Sequence, residues 1–186
     1  GYHTYFQSRY GTDSMEDGTY RRLLDLGNKL VLASVRSEGT TEAPLLALEL
    51  QGDRLTREDV ERATSLVAWL LGTDQDLGPF YALVKNDSVM AGVVRRFHGL
   101  HLPHPGTVFE ALVLGVLGQQ IATNVARIIR TLIIETFGSS AVLDGETYYA
   151  FPRPEAIWGS SPEELRTMKL TQRKSEYVHG IAGAAL

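Results

Sequence analysis

Three sets of side chains in this 186-residue sequence have types and spacing that could do chemistry. Gln119 and Gln120 stand side by side behind Gly118, between two strongly apolar segments. A glutamine amide offers two donors and an acceptor, so the pair can satisfy helix ends or be held out as a polar tip on a rigid base. Arg173 and Lys174 form a basic pair where the last helix begins. Positive charge there opposes the helix dipole, so the pair is either a solvated helix start or a contact for anionic groups. His98, His101 and His104 recur every three residues. Histidine is a common metal ligand, but Pro103 and Pro105 break any helix that would align the three, and no fourth ligand lies near. They read as a surface connector, with neither metal nor cofactor.

Other chemistries are excluded by what the sequence lacks. There is no cysteine, which removes disulfides, thiolate nucleophiles, iron–sulfur clusters and cysteine-based zinc sites. None of GxGxxG, GxxxxGK[ST], GxSxG or HExxH occurs. The net charge of −4 argues against a broad basic surface, though not against a local one. With 44% apolar and 22% charged residues, the composition is that of a soluble globular protein. No apolar run approaches the ~18 residues needed to span a bilayer, and no signal peptide opens the chain. The expectation is a cytoplasmic protein with no membrane partner.

The elements that must position these residues divide near residue 98. Residues 1–98 mix strand and helix signals and read as an α+β domain; residues 99–186 read as helical only. Tyr2–Arg9 suggests a short helix ending at Gly11. Thr19–Leu26 and Lys29–Ser37 read as strands around a Gly27-Asn28 turn, and Ala43–Leu50 alternates with Leu46, Leu48 and Leu50 on one face. Together they predict a small antiparallel sheet. Thr56 caps a helix whose apolar stripe is Ala63, Leu66, Val67, Leu70 and Leu71, stopped by Gly72. Thr107 to Glu110 has the pattern of a capping box, and FEALVLGVLG after it is apolar on every side, which predicts a helix buried all round. A second helix follows over about 123–137. Ser161-Pro162-Glu163-Glu164 is another cap, and a last helix from about Thr171 is expected to bury Tyr177, Val178 and Ile181.

The stretch FEALVLGVLGQQIATNVARIIRTLIIETFG resembles the start of the catalytic domain of the helix-hairpin-helix DNA glycosylases, and FPRPEAIWGSSPEELRTMKLTQRKSEYVHGIAGAAL continues the likeness. Within that superfamily the sequence is most similar to the 3-methyladenine glycosylases of type II. GTYRRLL, the strands after it, the helix from Thr56 and VVRRFHGLHLP resemble the family's small sheet domain, which is similar in fold to one repeat of TATA-binding protein. The resemblance implies an α+β fold: this sheet domain over 1–98, then the opening helices of the glycosylase domain over 99–186.

It also implies a function. Such enzymes flip an alkylated purine out of double-stranded DNA and hydrolyse its N-glycosidic bond, as monomers and without a metal, to start base excision repair. Extrusion leaves a hole in the stack that a side chain on a rigid loop can fill. By resemblance Gln120 takes that place with Gln119 structural beside it; on chemistry alone Gln119, Arg173 and Lys174 are the remaining candidates for the DNA-binding surface, the basic pair as phosphate contacts or else a solvated helix start. Tyr5 matches an aromatic of the base pocket, or else simply anchors the first helix to the sheet. The family's catalytic aspartate follows a glycine-rich hairpin, and the sequence ends at Leu186 before either. No position matches that aspartate, and Asp144 lies too far upstream. The 186 residues alone are therefore expected to lack activity; the alternative reading is an inactive member that binds DNA or a protein partner.

Overall fold

In the computed structural model, which describes residues 12–186, the first layer is an antiparallel meander in the order β1-β2-β3-β4. The strands are β1 (Asp13–Glu16), β2 (Thr19–Asp25), β3 (Leu30–Ser37) and β4 (Leu46–Gln51). Its central strands are buried on both faces. Tyr20 and Leu24 of β2 with Val31, Ala33 and Val35 of β3 point to one side; Leu23 and Leu32, which are cross-strand partners, point to the other.

Helix α1 (Arg57–Leu71) covers the first side with Ala63, Val67 and Leu70. Its capping box is complete, because the Thr56 hydroxyl accepts from the Asp59 N–H while the Asp59 carboxylate accepts from the Thr56 N–H. Two short helices follow, α2 (Gly78–Val84) and α3 (Ser88–Arg96), then the connector through Pro105. The second layer is built from α4 (Val108–Gly118), α5 (Thr123–Phe137), α6 (Pro154–Trp158), α7 (Pro162–Thr167) and α8 (Gln172–Ala184). Its core gathers Phe109, Val113, Leu117, Ile129, Ile133, Ile157, Leu165 and Val178.

Several expectations are corrected here. The second half is not helical only: β5 (Ser140–Leu143) and β6 (Glu146–Tyr149) form a hairpin. Its turn is Asp144-Gly145, both at positive φ (52° and 80°), the conformation a two-residue hairpin turn requires. Asp17-Gly18 makes the same turn between β1 and β2, at φ 48° and 73°. Ala141, Leu143 and Tyr148 of the hairpin pack around Leu23 and Leu32, covering the sheet face that α1 leaves open. Nor is α4 buried all round. Val108 is 77% and Leu112 52% exposed, because α5 and α8 pack against the other side of the helix. Tyr177, at 45% exposure, also lies on the surface; Ser175, Val178 and Ala182 are the residues that α8 buries. The short helix expected at Tyr2–Arg9 lies outside the described residues.

The two layers meet at a buried ion network. Arg22 Nη2 donates to Glu110 Oε2 at 2.7 Å and Nη1 donates to Asp13 Oδ1 at 3.1 Å. Tyr20 donates its hydroxyl to the same Asp13 oxygen at 2.7 Å, and Arg130 of α5 reaches the other at 3.2 Å. Burial alone would raise the Asp13 carboxyl, yet Arg22, Arg130 and the Tyr20 hydroxyl hold it below its ordinary value. Burial and the neighbouring Asp13 push the Tyr20 phenol well up. Thr107 caps α4 through the Glu110 N–H, as the sequence pattern suggests, but the Glu110 carboxylate does not complete the box. It turns instead to Arg22 and to the Gly106 N–H, 2.9 Å away. A Cβ on Gly106 would lie 2.9 Å from that same carboxylate oxygen, so a larger residue there would push the Glu110 carboxylate aside.

Removing one partner of a buried pair strands the other. Glu110→Ala is therefore expected to cost about 3 kcal/mol in urea unfolding, the lower end of that range because Asp13 still faces Arg22. A second expectation concerns acid. The hydrogen bond from Lys29, with those from Thr56, holds Asp59 at about 2, below the ordinary 3.8. Its stabilising effect is complete above pH ~4 and is lost as pH falls toward the folded value. The stability difference between wild type and Asp59→Asn should accordingly shrink between pH 4 and 2, read by thermal melting.

Candidate nucleic-acid interface

The α4–α5 junction is short because both of its ends are anchored in the core. Leu117 is buried in the last turn of α4, and Ile121 packs against the same cluster. Between them Gly118, Gln119 and Gln120 are exposed. Gln119 leaves the helix with extended backbone, φ −67° and ψ 133°. Gln120 then turns the chain at φ 54°, a left-handed conformation uncommon for a residue with a Cβ. Ala122 opens α5, its carbonyl accepting from the Val125 and Ala126 N–H groups. The junction thus holds an amide out on a fixed, strained turn between two packed helices.

The structure brings Lys174 to this junction. Its ammonium donates to the Gln119 carbonyl at 2.7 Å and to the Leu117 carbonyl at 3.1 Å. The dipole argument against a cation at the start of α8 is thereby answered, since the charge serves the negative C-terminal end of α4. Arg173, one residue earlier, points to solvent. Its Nε donates to the Tyr177 hydroxyl at 2.6 Å, and its guanidinium carbon lies 5.4 Å from that ring's centroid. The exposed tyrosine steadies an exposed cation. Tyr5 lies outside the described residues.

Two of the connector histidines are engaged separately. His98 stacks on Tyr81 at 4.9 Å between centroids and His104 on Trp69 at 4.1 Å. His104 Nδ1 also lies 2.7 Å from the Trp69 carbonyl oxygen. Among the described residues no group of three or more His, Cys, Asp or Glu could hold a metal ion. Asp144 sits in the hairpin turn, and Asp25 is paired with Arg153, whose Nε donates to it at 2.6 Å. Sequence reasoning missed the Arg22–Glu110 pair and the target of Lys174. The only signal of the first was a glutamate three residues past a cap; the second needed the placement of α8 against α4.

The fold matches a little over half of that of solved DNA glycosylases. A 3-methyladenine DNA glycosylase from Archaeoglobus fulgidus superposes with a TM-score of 0.79 at 27% identity, over 91% of this chain and 57% of that one. An 8-oxoguanine glycosylase/lyase from Clostridium acetobutylicum, in complex with double-stranded DNA, shares the fold at a TM-score of 0.69 and 14% identity, over 93% of this chain and 54% of that one.

In sequence the chain is similar to two DNA-3-methyladenine glycosylases. It is 41% identical over 109 residues to the Bacillus subtilis (strain 168) enzyme, covering 59% of this chain and 36% of that protein. It is 26% identical over 105 residues to DNA-3-methyladenine glycosylase 2 of Escherichia coli (strain K12), covering 54% and 37%. The chain thus spans little more than a third of these relatives' length. No family model matches it.

The backbone at Gln120 gives a direct expectation. Glycine adopts φ near 54° without the Cβ penalty, whereas a β-branched residue is a true outlier there. Gln120→Gly should melt at or slightly above the wild-type temperature. Gln120→Val should melt below wild type, because the β-branch adds to the Cβ penalty that glutamine already bears.

Proposed function

We propose that the protein carrying this chain is a DNA N-glycosylase of base excision repair that removes alkylated purines of the 3-methyladenine type from duplex DNA. It works as a monomer, in the cytoplasm with the chromosomal DNA. The observation that carries the reading is the α4–α5 junction, an exposed glutamine on a turn fixed at both ends. The sequence similarity to DNA-3-methyladenine glycosylases supports the choice of lesion class.

The proposed mechanism follows from the cost of base extrusion. Unstacking a base costs a few kcal/mol and leaves a hole. A wedge repays that cost only if it is already in place, because a floppy loop would lose its own entropy on entering the duplex. Leu117 and Ile121 remove that freedom in advance. The Gln120 amide then fills the gap from the minor groove and hydrogen-bonds the orphaned partner base. Gln119 sits beside it on the same DNA surface, with Arg173 as a phosphate contact next to the junction. Lys174, with two of its protons on α4, retains a third for a phosphate. No catalytic part is assigned to Asp13, Asp25 or Asp59, each of which is committed to an ion pair.

Two measurements on the intact protein test this. Release of 3-methyladenine from alkylated duplex DNA should exceed a no-protein control; absence of release would overturn the activity. Gln120→Ala should preserve the fold and weaken binding to duplex with an abasic-site mimic by about 1–3 kcal/mol, with little change for intact duplex. An unchanged ratio of the two affinities at fixed salt would make Gln120 a helix-end residue only.

A further inference from the structure

We propose that Lys174 is the positioning residue for Gln120: its ammonium clamps the end of α4 and so sets the direction in which Gln120 leaves the protein. The inference rests on the proposed role of Gln120 and deepens it.

The geometry is specific to the junction. Of the two carbonyls that Lys174 binds, that of Gln119 shares a rigid peptide plane with the nitrogen of Gln120. Fixing that oxygen fixes the axis about which Gln120 takes its φ of 54°. The Leu117 carbonyl belongs to the last turn of a helix whose side chain there is buried in the core. One ammonium therefore ties the exposed plane to the buried turn. Lys174 is itself held. Its N–H is capped by the Thr171 hydroxyl, and its neighbour Ser175 is wholly buried. Charge contributes as well, because the carbonyl end of α4 carries negative potential and Lys174 is the cation placed on it. With the clamp released, Gln119 and Gln120 would be held only by their flanking anchors, and the left-handed turn, costly for glutamine, would compete with extended conformations.

A plain phosphate contact would behave differently. It would strengthen binding to any duplex about equally and would not depend on Gln120. The test is a double-mutant cycle in the intact protein. It uses Lys174→Met, which keeps the apolar stem, Gln120→Ala, and both together. Affinities for abasic-mimic and intact duplex are measured at one salt concentration. Lys174→Met should lower the abasic-to-intact ratio about tenfold, and add little once Gln120 is alanine. Lys174→Arg, which retains a cation and donors, should restore most of the ratio. If Lys174→Met does not fold, judged by circular dichroism, Lys174→Gln is read the same way. The proposal is overturned if Lys174→Met weakens both duplexes equally, or if its effect on the ratio persists in full beside Gln120→Ala. Should Gln120→Ala itself leave the ratio unchanged, the wedge reading falls and the clamp with it, a result distinct from either of the others.

Discussion

The contact between Arg22 and Glu110 decides where everything else in the molecule can be. Arg22 stands on the sheet, paired in register with Asp13 of the neighbouring strand, and Glu110 stands in the first turn of α4. The pair is buried, with side-chain exposures of 8% and 3%. Such a pair is weak evidence for net stability, because desolvating two charges offsets most of their attraction. What it supplies is uniqueness of arrangement. A guanidinium shared between two carboxylates has few acceptable geometries, and any sliding of α4 along the sheet would leave a charge without its partner in a dry interior. Gly106 shows how tight the tolerance is, since even a methyl group would crowd the carboxylate.

Seen from this contact, α4 is a short rod fixed electrostatically at both ends. Its N-terminal end is held by the Thr107 cap and by Arg22, its C-terminal end by Lys174. Eleven residues at 1.5 Å each make the rod about 16 Å long. The exposed junction stands at its far end from the sheet. The sheet thus acts on the junction by fixing the start of the helix whose end leads to Gln120.

How much of this was legible in the sequence depends on the range of the interaction involved. Local chemistry was legible. The hydroxyls of Thr56, Thr107 and Ser161 all accept from the N–H three residues on, as their capping patterns suggest, and Thr171, near which the sequence starts its last helix, does the same. The helical stripe of α1 followed from periodicity, and the strands around Gly27 from β-branched content and the turn signal between them. Both omissions in secondary structure share one cause. Asp17-Gly18 and Asp144-Gly145 are hairpin turns beside short strands: β1 and the two strands of the later hairpin have only four residues apiece. Four residues give too few alternations for periodicity to register, so the turn dipeptide was the better signal.

What the sequence could not disclose was the partner of each charged group. Glu110 has the spacing of a capping-box residue, and Lys174 that of an exposed base in a first turn. Both assignments are sound locally, and in both a distant acceptor or donor outcompetes the local one. For Glu110 the reason is burial: the N-cap N–H is a weaker partner than a desolvated guanidinium. For Lys174 the reason is the dipole. A cation is disfavoured at the start of its own helix and favoured at the end of another, so packing α8 across the end of α4 turns a mild local penalty into a bond. The same misfit had already marked the residue within the sequence. A charge whose sign is wrong for its own helix points to a second element that requires it, and here that element is the one carrying the exposed glutamine.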